Sequence, residues 1–488
     1  MCKHAASVLY FDFVKDRIIN TIKTDILVQS LLANLLILVG VLIFMTPCLE
    51  NEADFIMEGL ISGDYASGTP QVSVMFSHFL TGSLLCALER LIPVLPWYFI
   101  FHYLVCFSAL SVITFLTLKR SSSWESRLLS LAVMIYMASE CYALPGYVKT
   151  AAVTAVAASF MILSVITDEG SFSGGKQRII FIIASLAMGL ISSLISFFVF
   201  FAVFMLCAFL GAAYLIITRP FDDKSSAIRA IATGAAIAAG IVIIAAAFYY
   251  LDRLHYFKDP ALSASIAYRL GYEKCLSFGI PSFKFREAEL AAARDALQRL
   301  GALDPSLVDT NERLLYMAQA RLIPEPHEVF NFLRFEPDNI SHVPFIYLWS
   351  FLAYFLARYG DRKTRIAVAL SIISGVLLLF VMRMFLVLGY YRMCTLEIIP
   401  FVWFFMLFFK DTHYRLEEAM AGKKTLIMLA VDAFLIVYLS FALFSDDLPF
   451  RWNYEAIYDA ELLYADVSFD EEEDEAATEA VTEDASGQ

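Results

Sequence analysis

Apolar runs of about twenty residues recur along this chain and constrain its fold more than any other feature. A helix needs ~20 apolar residues to cross the hydrocarbon core of a bilayer. Backbone groups find no water there, so each run must satisfy its own hydrogen bonds as a helix. The sequence therefore predicts an all-α, polytopic transmembrane bundle. Eleven spans are predicted, over 26–46, 97–118, 127–143, 147–167, 178–191, 194–217, 228–250, 342–358, 365–387, 392–409 and 424–444.

Composition and charge agree with this class. Of the 488 residues, 59% are hydrophobic and 17% are charged, whereas soluble domains carry about 25% charged residues. The net charge of −13 is concentrated at one end, because residues 446–488 hold fifteen Asp or Glu and a single Arg. An acidic stretch of this kind is typical of a solvated, disordered tail. No basic surface remains that would indicate a nucleic-acid partner.

Basic residues in the connections predict the orientation. With the N-terminus in the cytoplasm, the inner segments hold 20 Lys or Arg, while the short outer segments and outer helix ends hold five. This asymmetry follows the positive-inside rule, from which long loops are exempt. It predicts a multi-pass protein of the plasma membrane, with a cytoplasmic N-terminus and an extracytoplasmic C-terminal tail.

The segment 71–93 is the one apolar stretch that would disturb this orientation if it crossed the membrane. It carries Ser, Thr, His, Glu and Arg beside apolar residues at helical spacing. This pattern predicts an amphipathic helix lying at the outer interface after the first span. Trp97 and Tyr98 then mark the interface where the second span begins.

The resulting organisation has five parts. The loop 251–341 is too long to be a simple connector and contains helical patterns, so we expect a mostly helical extracytoplasmic cap. The predicted parts are a cytoplasmic N-terminal segment 1–25, an N-terminal membrane module 26–250 with seven spans and a first outer loop 47–96, the cap 251–341, a C-terminal membrane module 342–444 with four spans, and the acidic tail 445–488.

An acidic cluster directly follows the first span. Four carboxylates fall within the nine residues 50–58, and in a helix beginning near Ala53, Asp54 and Glu58 would share one face. Like charges at this spacing repel unless a cation, a proton or solvent relieves them. A solvated acidic helix start, in which the carboxylates favour the N-terminus, is the structural alternative. A divalent cation is conceivable at Glu52, Asp54 and Glu58, but no ligand set is defined, and no cofactor is expected.

The layout of this region resembles the C-type (GT-C) glycosyltransferase superfamily, in particular its bacterial members. The residues that carry the resemblance are Asn51-Glu52-Ala53-Asp54-Phe55, Gly63-Asp-Tyr65, Gly68-Thr-Pro70 and Leu91-Ile-Pro-Val-Leu-Pro-Trp-Tyr98. Seven spans followed by a large outer loop also match. Members of this superfamily use polyprenyl-phosphate-linked sugars, and their first outer loop carries an acidic pair. Here Ala53 interrupts that pair, so the resemblance assigns Asp54 as catalytic base, with Glu52 or Glu58 in support.

Basic residues at the outer boundary are the counterpart of that acidic cluster. Sugar transfer from a lipid phosphate needs a base for the acceptor hydroxyl and positive charge for the phosphate. Lys149, Arg383 and Arg392 run against the charge bias and are therefore the candidate phosphate-binding residues. Each also has a structural interpretation. Lys149 could pair with Glu140, Arg392 could pair with Glu397, and Arg383 could reach lipid head groups.

The sequence thus predicts a membrane glycosyltransferase acting at the outer face of the membrane. Its expected partners are a polyprenyl-phosphate-linked sugar donor, a cell-envelope glycan or lipid acceptor, and membrane lipids. Two alternatives stay open. One is a transporter or flippase for a lipid-linked intermediate, which would carry charges along a path through the bilayer. The other is a non-catalytic assembly protein built on the same fold.

Overall fold

The structure of the protein is a computed structural model that describes the N-terminal half of the chain. The described residues are 25–45, 47, 49, 52–64, 69–120, 124–167, 175–218 and 224–267, with single positions at 362, 365, 366, 369, 370 and 373. Helices dominate these residues, and no strand occurs among them. In chain order they are α1 Ile26–Phe44, α2 Glu52–Ser62, α3 Phe79–Leu91, α4 Trp97–Arg120, α5 Trp124–Ala143, α6 Tyr147–Thr167, α7 Gly175–Ile195, α8 Phe197–Thr218 and α9 Lys224–Tyr256, and a further helical stretch covers 260–267.

Five of the described helices are long and apolar enough to cross a membrane. Their apolar parts are Ile26–Phe44, Trp97–Lys119, Tyr147–Thr167, Arg178–Ile195 and Ala227–Tyr256. The stretch Phe197–Ala212 of α8 is apolar but shorter. Large apolar side chains on the outer faces of these helices are exposed, for example on α1, α8 and α9. A bilayer is the solvent that such surfaces suit, since water would penalise them.

The segment between α1 and α4 packs across one end of the bundle, which we call the loop end. The Leu194 carbonyl at the end of α7 accepts hydrogen bonds from the His78 backbone N–H and the Thr81 hydroxyl, at 3.0 Å each. The Met75 backbone N–H donates to the Tyr256 hydroxyl at the end of α9, at 2.9 Å. The start of α6 meets the same segment, as described below. Because α6 begins and α7 and α9 end there, successive helices run in alternating directions.

Helix α6 forms the centre of the bundle. All its described side chains except Ile166 are buried, and it contacts α4, α7, α8 and α9. Its small residues, many of them alanine, allow the neighbouring backbones to approach closely, as is usual for helices that pack in membranes. The Ser192 hydroxyl of α7 donates to the Ala151 carbonyl of α6 at 2.6 Å. The outer helix α1 is joined to α4 by a hydrogen bond from the Asn34 amide to the Thr114 hydroxyl at 2.9 Å.

Two element boundaries differ from the sequence-based expectation. The helix predicted over 71–93 begins only at Phe79, after His78 caps it by accepting the Leu80 N–H. It has 13 residues and is too short to cross a bilayer core. Helix α9 continues to Tyr256 rather than ending at 250, because its last polar residues find partners on the first loop. Residues 1–24 and 268–488 lie outside the described residues, apart from the single positions given above. They include most of the predicted cap 251–341, the predicted module 342–444 with its four spans, and the acidic tail 445–488.

Candidate functional site

Asp54 occupies a fully buried position at the loop end. Helix α2, which carries it, is the first helix after α1. It is followed by Gly63, whose positive φ of 91° is the left-handed conformation that glycine adopts without strain. The Asp54 Oδ1 atom accepts the Tyr98 hydroxyl at 2.6 Å and the Tyr147 backbone N–H at 2.9 Å. The first N–H groups of a helix lack partners within that helix, so Asp54 satisfies one at the start of α6.

A second buried polar contact lies one turn further along α4. The His102 Nδ1 atom is 2.7 Å from the Thr150 hydroxyl, and its ring meets the Tyr98 ring at a centroid distance of 4.5 Å. Thr150 donates its single hydroxyl hydrogen to the Gly146 carbonyl, at 2.8 Å. It must therefore accept from His102, which places the imidazole proton on Nδ1. This chain of contacts extends the Asp54 site along α4 and α6.

Lys149 belongs to the same end of the bundle. It is only 2% exposed, and its Nζ atom lies 3.2 Å from the Glu140 Oε1 atom and 3.5 Å from the Leu144 carbonyl oxygen. It is the second residue after Tyr147, which binds Asp54. The structure thus shows the pairing with Glu140 that the sequence offered as the alternative to phosphate binding. A buried ion pair of this kind is costly to break, because either partner alone would be an uncompensated charge.

Glu58 lies one turn beyond Asp54 on α2 and is partly exposed. Burial raises its pKa above the ordinary value, and the nearby carboxylates Asp64 and Glu89 raise it further. The pKa of Glu89 on α3 is raised as well, by burial and then by Asp64. Asp64 itself accepts the Ser62 hydroxyl at 3.0 Å. The structure therefore brings Glu58 and Glu89 close to the Asp64 carboxylate, whose repulsion favours the protonated form of both glutamates.

The other predicted site residues are only partly covered. Glu52 is the first residue of α2, and the structure describes its backbone but not its side chain. Arg383 and Arg392 lie outside the described residues altogether. In the part of the chain that the structure describes, no group of three or more His, Cys, Asp or Glu could hold a metal ion.

A third polar cluster joins α3 to the end of α9. The Phe79 N–H donates to the Asp252 Oδ1 atom at 2.9 Å, and the His78 Nε2 atom lies 2.8 Å from the Phe248 carbonyl. His78 accepts the Leu80 N–H through Nδ1, so its proton is on Nε2 and both ring nitrogens are used. These contacts attach the first loop to the bundle and position α2 and α3.

An apolar cavity of about 220 Å³ lies in the other half of the bundle, between α6, α8 and α9. Its walls include Ser159, Ile166, Ala208, Gly211 and Gly234. This lining carries no charged side chain, and its polar groups are the Ser159 hydroxyl and the Cys207 thiol. The buried Asp54, the partly exposed Glu58 and the buried ion pair of Lys149 all lie at the loop end, away from this cavity.

Sequence reasoning missed the two tyrosines that bind Asp54. The sequence identifies Tyr98 only as an interface anchor, and Tyr147 offers Asp54 a backbone N–H, which no side-chain motif can reveal. Both are far from Asp54 along the chain, by 44 and 93 residues. No family model, curated protein or solved structure matches the chain.

Proposed function

We propose that the chain is a membrane glycosyltransferase that moves a sugar from a polyprenyl-phosphate donor to an acceptor at the loop end of the bundle. In the complete topology that we propose, eleven spans hold the loop end at the outer face of the plasma membrane, and residues 251–341 cover it as a cap. The N-terminus would lie in the cytoplasm and the acidic tail outside it. The observation that carries the proposal is the clustering of carboxylates on α2 and α3 at this one end.

The distribution of charge along the long helices supports a site at one end. In the seven long helices that the structure describes, every Asp, Glu, Lys and Arg lies in the first or last two turns. A transporter for a lipid-linked intermediate would be expected to place ionisable groups along a path near the bilayer midplane. The pattern therefore favours chemistry at the membrane surface over transport through it.

We assign the base to Glu58 rather than to Asp54. A general base must reach the acceptor hydroxyl, and its pKa should lie near the working pH. Glu58 is partly exposed and its pKa is raised by burial and by neighbouring carboxylates. Asp54 is fully buried, and its Oδ1 atom already binds Tyr98 and Tyr147. In this proposal Asp54 is a positioning residue that fixes α2 against the starts of α4 and α6, and Glu52 stays a candidate supporting carboxylate.

The reaction that we propose is a direct displacement. The Glu58 carboxylate takes the proton of an acceptor hydroxyl, whose oxygen attacks the anomeric carbon of the sugar. The bond between that carbon and the phosphate oxygen breaks, and polyprenyl phosphate leaves with the electron pair. The phosphate is a good leaving group that needs positive charge rather than a proton donor. Lys149 is already paired with Glu140, so Arg383 and Arg392 are the proposed phosphate-binding residues.

The test measures sugar transfer in membranes that contain the full chain and a radiolabelled polyprenyl-phosphate sugar. We expect Glu58→Gln to lower the transfer rate by about 100-fold or more, the usual effect of losing a general base. Glu89→Gln is the matched control on α3. It should keep the maximal rate and shift the pH profile to lower pH, because it removes one of the charges that raise the pKa of Glu58.

Asp54→Asn separates the two assignments. If Asp54 only positions α2, this variant should keep part of the activity and lose stability. A folded Asp54→Asn protein without activity, beside an active Glu58→Gln protein, would return the role of base to Asp54. If both Asp54→Asn and Glu58→Gln transfer the sugar at the wild-type rate, neither carboxylate is the catalytic base and the proposed mechanism is wrong.

A further inference from the structure

Arg253, near the end of α9, is held by an aromatic platform rather than by a carboxylate. Its Nε atom donates to the Tyr249 hydroxyl at 2.9 Å, and its guanidinium carbon lies 5.2 Å from the centre of the Tyr249 ring. That ring stacks on Phe197 of α8, with centroids 4.5 Å apart and planes 20° apart, and Phe198 meets its edge. The platform fixes the direction of a half-buried cation at the loop end.

No acidic side chain of the described residues balances the charge of Arg253. Among the described residues, no carboxylate lies within ion-pair distance of its guanidinium. The neighbouring Asp252 instead accepts the Phe79 N–H on α3. Proximity to the C-terminus of α9 favours a positive charge. Within the described part of the chain the guanidinium donates only its Nε–H, to the Tyr249 hydroxyl, so its other four N–H groups have no partner there. These groups suit the planar, two-point recognition of a phosphate.

An exposed apolar lane begins at the same platform. Phe201 stacks on Phe197 with a centroid distance of 6.2 Å. Phe201, Met205 and Phe209 follow at intervals of four residues on one face of α8, and they are 42%, 49% and 52% exposed. From Phe197 to Phe209 the lane covers ~18 Å at 1.5 Å per residue. This slightly exceeds half of a ~30 Å hydrocarbon core, so its length suits a lipid chain of one leaflet.

We infer that Arg253 and this lane form a binding site for one anionic glycerophospholipid, independent of the proposed sugar transfer. The guanidinium binds the phosphate, and an acyl chain lies along Phe201, Met205 and Phe209. A singly negative head group without an amine, such as that of phosphatidylglycerol, matches the positive charge of Arg253. Head groups with an added ammonium would bring a second cation to a place that already has one.

The experiment measures lipid retention by the full chain in detergent micelles that contain equal amounts of phosphatidylglycerol and phosphatidylcholine with the same acyl chains. Native mass spectrometry counts the bound lipids. Arg229→Gln is the matched control, because Arg229 is an exposed arginine on the same helix whose Nε atom donates only to the Ser225 carbonyl of that helix. We expect the wild type and Arg229→Gln to retain phosphatidylglycerol in preference. Arg253→Gln should reduce its retention at least fivefold, and Arg253→Lys should give an intermediate value.

Three results would overturn the inference. Equal loss in Arg253→Gln and Arg229→Gln would show a general charge effect. If phosphatidylglycerol with eight-carbon chains is retained as well as phosphatidylglycerol with long chains, the lane is not part of the binding site. Displacement of phosphatidylglycerol by an equal concentration of polyprenyl phosphate would assign the cation to the sugar donor instead. If Arg253→Gln fails to fold, Tyr249→Phe removes only the orienting hydroxyl and should still weaken retention, whereas unchanged retention would contradict the proposed geometry.

Discussion

The hydrogen bond between Tyr98 and Asp54 allows a quantitative test of how α2 is held at the loop end. The donor and acceptor are 2.6 Å apart, and both residues are buried. A hydrogen bond to a charged group contributes about 1.5–3 kcal/mol. Tyr98→Phe removes the hydroxyl and keeps the ring, so we expect the free energy of unfolding to fall by about 2 kcal/mol. Asp54→Asn keeps an acceptor but weakens the bonds from Tyr98 and Tyr147, since neutral hydrogen bonds are roughly half as strong. It should also cost about 2 kcal/mol.

The two substitutions should not be additive, because they remove the same interaction. We expect the loss in the free energy of unfolding of the double variant to be smaller than the sum of the two single losses, by at least about 1 kcal/mol. The assay is unfolding of the purified full chain in mixed micelles with increasing SDS, followed by circular dichroism. Tyr250→Phe is the control, since Tyr250 is 64% exposed on α9 and surface changes usually stay within about 0.5 kcal/mol. Additive effects, or a Tyr98→Phe variant as stable as the wild type, would refute the reasoning.

Three further predictions concern the same end of the molecule. Gly82→Ala should severely destabilise the attachment of α3, because the new Cβ would overlap the Val72 carbonyl oxygen, and limited proteolysis of the first loop should accelerate. Lys149→Met should cost about 3–5 kcal/mol by leaving Glu140 uncompensated, whereas adding Glu140→Gln should recover part of that loss in the same SDS titration. Glu58→Gln should raise stability at neutral pH. The pKa of Glu58 in the folded protein is above its ordinary value of 4.5. The Glu58 carboxylate therefore destabilises the fold increasingly as the pH rises from 4.5 to this higher pKa, and it has no such effect below pH 4.5. A gain that persists at pH 3 would contradict this assignment.

The long helices were the part of the fold that the sequence could predict. Each of the seven apolar segments between 26 and 250 falls within or close to a described helix, because burial in lipid leaves helix as the one way to satisfy the backbone. The ion pair of Lys149 with Glu140 was also foreseeable. These residues flank a tight turn between adjacent antiparallel helices. Because they are only nine positions apart along the chain, they are expected to be close in space.

The arrangement of the first loop could not be predicted in the same way. Periodicity favoured one helix over 71–93, but residues 71–78 are not helical. Their backbone is held by distant groups, as when the Met75 N–H binds the Tyr256 hydroxyl, and Met75 adopts a positive φ of 56°. Secondary-structure propensity depends on neighbouring residues, so it cannot predict a hydrogen bond to a partner 181 residues away. The same limitation hid Tyr147 as the partner of Asp54.

The surplus of carboxylates at the loop end constrains where a phosphate could bind. Asp64 and Glu89 already raise the pKa of Glu58, so a phosphate beside this cluster would meet the same repulsion. In a direct displacement, the base and the leaving phosphate lie on opposite faces of the sugar, and this geometry separates the two negative groups. The proposed phosphate-binding residues Arg383 and Arg392 must then face the cluster across the sugar. Substituting glutamine for either arginine should therefore raise KM for the lipid donor with a smaller change in the pH profile, whereas Glu58→Gln should lower kcat and abolish the limb of that profile assigned to the base. A pH profile that shifts equally in both kinds of variant would place the phosphate and the base side by side, and the displacement geometry would then be wrong.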